Sequence, residues 1–162
     1  MNMNKVISLL IAAFAALSLH AQSLPNVKVE DAAGKSVNTL SMIDGETPFI
    51  LTFWASWCRP CRMELAALEE AAPDWEGDFP LRIYAVSIDD SRSIADAKAL
   101  AATSDWPVTV LFDTKERLAQ AFGISSIPQV FIFDKDGKQV YTHVGYTPGS
   151  EKTLLKKLLK AK

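Results

Sequence analysis

Two cysteines stand in this chain of 162 residues, Cys58 and Cys61, with only Arg59 and Pro60 between them. A disulfide closing so short a loop removes little entropy from the unfolded chain, so stapling is a poor use for it. At the start of a helix the same pair becomes a redox centre. The first cysteine then meets unsatisfied backbone N–H groups and the positive end of the helix dipole, which stabilise a thiolate. Arg59 and Arg62 add positive charge beside it. Cys58 is therefore the expected attacking thiolate. Cys61, one turn further in and on an apolar stripe, is expected to be the sheltered thiol that resolves a mixed disulfide by internal attack. Pro60 falls at an early helical position, where its missing N–H costs little. Trp57, just before Cys58, is placed to shield the thiolate and contact a partner.

Other chemistries compete for these residues. A structural zinc site needs about four ligands, and beyond residue 21 only His143 could join the cysteines. A Cu(I) carrier using Cys58, Cys61 and His143 remains chemically open, since thiolates favour that ion. Asp134-Lys135-Asp136-Gly137 opens like a calcium loop, but Gly145 occupies the twelfth position where a glutamate is needed, so a turn is expected and no metal site. No P-x-x-x-T-x-x-C arrangement precedes Cys58, which argues against a peroxidase. Glu64 follows Cys61 by three residues and should point beside the helix's inward face. A carboxylate desolvated there has a raised pKa, suited to exchanging a proton with Cys61. The competing reading is a surface glutamate interacting with Arg62 or lysines.

The first 21 residues read as a targeting segment. Lys5 gives a positive start, Val6 to Leu19 an apolar run too short for a typical span, and His20-Ala21-Gln22 a polar exit. Cleavage is expected after Ala21, with an uncleaved membrane anchor as the alternative. Its removal takes one lysine and no acid, moving the net charge from −2 to −3. That weakly acidic balance argues against nucleic acid as a partner. Export bears on the cysteines too. In an oxidising compartment an even count usually means structural bridges, and this pair is too close for that.

The remainder, residues 22–162, shows no repeat or linker and is long enough for one domain with its own core. Val27 to Glu30 and Lys35 to Asn38 suggest a small hairpin around Ala33-Gly34. Phe49 to Trp54 is a dense apolar run without alternation, the pattern of a strand buried on both faces. A helix should run from about Cys58 to Ala71, its inward stripe formed by Cys61, Leu65, Leu68 and Ala72, until Pro73 ends it. A strand over Leu81 to Ile88 precedes a helix capped by Ser91 or Ser93 and passing through Ala95, Ala99, Leu100 and Ala102. Next come a strand at Val108 to Phe112 and a short helix from Lys115 to Phe122, closed by Gly123. Gln129 to Phe133 and Gln139 to Val144 flank the Asp134–Gly137 turn as a hairpin. A final helix over about Ser150 to Leu159 should pack its leucines on the sheet, although its lysines would also suit a membrane surface. This order implies a mixed sheet with helices on both faces, an α/β fold.

Three motifs then give a resemblance. Phe53 to Cys61, the loop Gly123-Ile124-Ser125-Ser126-Ile127-Pro128, and Asp134 to Gly137 together resemble the thioredoxin superfamily, in particular its exported TlpA/ResA-like branch. The likeness covers nearly all of residues 25–160, including the extra strand and helix over residues 81–102. It implies a thioredoxin fold in which Pro128 is cis beside the cysteines and the backbone at Ile127 pairs with an extended substrate segment. Trp57 and Pro60 complete the substrate-facing set. The branch carries a glutamate at the position of Glu64, whereas Thr52 stands where thioredoxins proper have a buried aspartate. The implied activity is thiol–disulfide exchange by a monomer, in the reducing direction. Its partners would be disulfide-containing envelope proteins, such as apocytochromes c awaiting haem, and a membrane electron-donor protein. No flavin or nicotinamide motif is present, so the redox-active disulfide is the only expected cofactor. Pro60 echoes reducing members, while Arg59 pushes toward an oxidant or isomerase.

Overall fold

The computed structural model describes residues 22–162; the targeting segment expected before them lies outside. The strands are β1 (Lys28–Glu30), β2 (Ser36–Asn38), β3 (Phe49–Trp54), β4 (Ile83–Ser87), β5 (Thr109–Phe112), β6 (Gln129–Phe133) and β7 (Gln139–Val144). The helices are α1 (Arg59–Ala71), α2 (Ile94–Thr103), α3 (Arg117–Phe122) and α4 (Ser150–Leu159), with short 3-10 turns at Thr39–Met42 and Ala72–Asp74. Pro73 sits in the second turn and ends α1 as expected.

The seven strands form one mixed sheet in the order β2-β1-β5-β4-β3-β6-β7. β3, β4 and β5 are parallel, while β6 runs antiparallel to β3 and β7 antiparallel to β6. Every residue of β3 is buried, because helices or loops cover both of its sides. Phe49, Leu51 and Phe53 face a core closed by Leu118, Ala119 and Phe122 of α3 and by Val29 and Met42 near the hairpin. Ile50 and Trp54 face the other way, towards Leu65 and Leu68 of α1, Ala97 of α2 and Leu154 and Leu158 of α4. Leu154 and Leu158 of α4 thus lie on the sheet with Leu155 partly covered, whereas Leu159 is exposed. No helix among the described residues is long and apolar enough to cross a membrane.

Several local expectations need correction: β4 is shorter than the expected Leu81 to Ile88, and α3 begins at Arg117 rather than Lys115. Ser93 holds the cap position of α2, but its hydroxyl makes no capping hydrogen bond. Its backbone is in the helical region, whereas a capping side chain needs an extended one. The Asp90 carbonyl takes the N–H groups of Ser93 and Ile94 instead, at 3.1 and 2.9 Å. β5 begins at Thr109 rather than Val108, because the Val108 N–H turns back to the Trp106 carbonyl at 2.7 Å and leaves the ladder.

Candidate active site

β3 delivers the chain to the site and α1 leaves it. After Trp54 a tight turn forms, with the Cys58 N–H donating to the Ala55 carbonyl at 3.0 Å. Cys58 is the N-cap of α1, and its sulfur accepts the Cys61 N–H at 3.3 Å. A sulfur therefore takes the place that a serine or aspartate oxygen usually fills at a helix start. Once reduced, a thiolate there receives the same N–H together with the helix's positive end. Arg59, Arg62 and Pro60 are exposed around it, with Pro60 in the first turn.

Cys58 and Cys61 are joined by a disulfide, with Cα atoms 5.4 Å apart. The two sulfurs are not equivalent. Cys58 keeps 6% of its surface exposed and Cys61 none. The Ile127–Pro128 peptide bond is cis, and the Ile127 carbonyl oxygen lies 3.9 Å from the Cys58 sulfur. Pro128 is buried, and its carbonyl accepts the Gly145 N–H at 2.7 Å, which ties the loop to the end of β7. Residues 69 positions apart thus meet at one sulfur. Trp57 is 64% exposed and lines an open cleft of about 520 Å³ with Ile88, Asp90, Arg92, Ser93 and Glu116.

Glu64 is fully buried on α1 behind the cysteines. It makes no ion pair among the described residues, so the surface reading does not hold. Its Oε2 accepts the Thr52 hydroxyl at 2.9 Å, and its Oε1 has no partner. Burial pushes its pKa from an ordinary 4.5 up to about 7, against the pull of the Thr52 hydrogen bond. Thr52, on β3, is thus the hydrogen-bond partner of Glu64 on α1. His143 lies on β7 opposite Val130, with its Nε2 buried and without a hydrogen bond. Among the described residues no group of three or more His, Cys, Asp or Glu side chains is arranged to hold a metal, so the three-ligand copper set is not assembled.

Asp89 escaped the sequence reading. It is 1% exposed, two residues beyond the end of β4. Its Oδ1 accepts the Ser56 hydroxyl at 2.6 Å, and its Oδ2 accepts the Ser56 N–H at 2.9 Å and the Ser87 hydroxyl at 2.8 Å. Ser56 and Asp89 are 33 positions apart, and no local pattern links them.

The profile of the AhpC/TSA family matches residues 21–142. The chain belongs to the AhpC/TSA family. Within that family it is similar to the thiol-disulfide oxidoreductase ResA of Bacillus thuringiensis, with 29% identity over 121 residues, 75% of this chain and 67% of that one. Among solved structures it resembles a thioredoxin-like protein from Porphyromonas gingivalis, at 39% identity and a TM-score of 0.73, covering 89% of this chain and 94% of that one. It also resembles a putative thiol:disulfide interchange protein DsbE from Chlorobium tepidum, at 28% identity and a TM-score of 0.74, covering 88% and 96%. This AhpC/TSA protein has a thioredoxin-like fold and is a thiol–disulfide oxidoreductase, with its Cys58–Cys61 pair at the junction of β3 and α1.

Proposed function

We propose that the protein is an extracytoplasmic reductase of disulfides in other envelope proteins. The Cys58 thiolate attacks a client disulfide, forming a mixed disulfide and releasing one client thiolate. Cys61, as thiolate, then attacks the Cys58 sulfur. That step releases the second client thiolate and leaves the Cys58–Cys61 disulfide, so two electrons have passed to the client. Glu64 takes the Cys61 proton during the internal attack. Trp57, Pro60, Ile127 and Pro128 hold the client segment, with the backbone at Ile127 beside the reacting sulfur.

The observation that carries this reading is the asymmetry of the two sulfurs. Cys58 keeps a small exposed fraction, takes an N–H on its sulfur and lies beside the Ile127 carbonyl, while Cys61 is enclosed. The similarity to ResA supports the reducing direction, and the apolar run before residue 22 supports export. A membrane electron-donor protein returns the electrons, because the sequence carries no flavin or nicotinamide motif. Apocytochromes c awaiting haem are the clients that the ResA likeness favours.

A redox titration of residues 22–162 against dithiothreitol tests the direction. Thioredoxin-like centres span about −270 to −120 mV. A midpoint near the thioredoxin end is expected, whereas one near −120 mV would make the protein an oxidant.

A further inference from the structure

We propose that Asp89 is a positioning residue for disulfide exchange, acting as a clamp that fixes the cysteine loop to the end of β4. Its two carboxylate oxygens take three hydrogen bonds, two of them from Ser56, which stands two residues before Cys58. The clamp is itself held, because the Ser87 hydroxyl also accepts the Asp89 N–H at 3.1 Å. It makes no ion pair among the described residues, so a buried carboxyl group is held there by hydrogen bonds alone. A desolvated carboxylate is costly unless its partners are all in place. The arrangement therefore tolerates little movement of Ser56.

What the clamp joins explains its use. Ser56 leads into Trp57 and Cys58, and Asp89 lies between Ile88 and Asp90. The clamp thus ties together two of the segments that line the Trp57 cleft, at Trp57 and at Ile88 and Asp90. The Cys58 sulfur must attack in line beside the Ile127 carbonyl, which is carried on a separate loop. Misplacing a reacting atom by about 1 Å costs on the order of a hundredfold in rate. A charged carboxylate bonded to Ser56, two residues before Cys58, would also act against the Cys58 thiolate, opposite in sense to the helix end and Arg59.

Geometry and charge separate with two substitutions. In Asp89→Asn the amide oxygen can take the Ser56 N–H and the Ser87 hydroxyl, while the NH₂ donates to the Ser56 hydroxyl, so the clamp survives without its charge. Asp89→Ala removes both. Reduction of a quenched fluorescent peptide disulfide is measured from pH 6 to about 9.5, above the ordinary thiol pKa of ~8.5. At the top of that range Asp89→Ala is expected to be at least about fivefold slower than wild type, and Asp89→Asn within about twofold. The rate profile of Asp89→Asn is expected to shift to lower pH, because its Cys58 ionises more readily. Asp89→Ala less than fivefold slower at high pH, or Asp89→Asn as slow as Asp89→Ala, overturns the proposal. If Asp89→Ala does not fold, Ser56→Ala decides: about threefold slowing supports the clamp, and a wild-type rate overturns it. The proposal rests on Cys58 as the attacking thiol. Wild-type protein in the same assay tests that separately, since its failure to reduce the peptide would remove the reading of Cys58, whereas the variant ratios test Asp89.

Discussion

Glu64 combines complete burial, one hydrogen bond from Thr52 and an unpartnered second oxygen. Its proton is therefore held in the folded protein up to about pH 7 and in the unfolded chain only to about 4.5. A raised acid pKa favours the fold at low pH and costs stability as the pH climbs. The loss begins above about 4.5 and is complete above about 7, and amounts to something on the order of 3 kcal/mol. Glu64→Gln cannot ionise and should lack this slope, which urea unfolding at pH 5 and pH 8 would show. The same variant is expected to slow peptide-disulfide reduction about tenfold near neutral pH without unfolding. An exchange rate matching wild type at every pH would remove Glu64 from the mechanism. For the cysteines, Cys61→Ser should trap a mixed disulfide with a client or peptide, whereas Cys58→Ser should trap none. Intact-mass analysis after non-reducing quench reads the difference.

Elements explain which parts of this were legible beforehand. β3, β6, β7 and α4 match the sequence reading to the residue, because dense apolar runs, the Asp134–Gly137 turn and the leucine spacing are local signals. The cysteines were legible for the same reason, since a buried strand running into a C-x-x-C helix lies in one stretch of chain. Thr52 was noticed only as a departure. Its bond to Glu64 joins β3 to α1 across 12 positions and needs the packed sheet to exist. Asp89 left no local trace, as its meaning lies in Ser56 on another element. α3 gives an element-scale prediction. Its N-cap, Glu116, has φ 53°, the left-handed region, and makes no capping bond with its side chain. Asp113 does that work from β5's end, accepting the Ala119 N–H at 2.8 Å. A left-handed residue other than glycine costs roughly 1–2 kcal/mol, of which glycine's greater freedom in the unfolded chain returns about 0.4–1. Glu116→Gly should therefore stabilise by about 0.5 kcal/mol, read as a small rise in melting temperature.

Across the whole molecule, one face of the sheet carries two clusters with different duties. Cys58 and Cys61 pack with Trp54, Leu65, Ala97 and Phe112, whereas Leu154 and Leu158 of α4 pack with Ile50, Val130 and Ile132. Stability and chemistry should accordingly come apart. Leu158→Ala is expected to cost about 2–4 kcal/mol in denaturant unfolding and leave the exchange rate of the folded protein unchanged. The distribution of tryptophans has a further use. Trp54 is buried edge-on to Trp106, at 5.3 Å between ring centroids, whereas Trp57 projects into solvent one residue from the disulfide. A disulfide quenches a neighbouring excited indole by accepting its electron, and a dithiol does so far less. The light emitted by the protein should therefore brighten as the bond opens, and Trp54→Phe and Trp57→Phe divide the gain between the indole packed with the cysteines and the one in solvent. The fold has thus placed an optical gauge of its own oxidation state beside the sulfur that changes it.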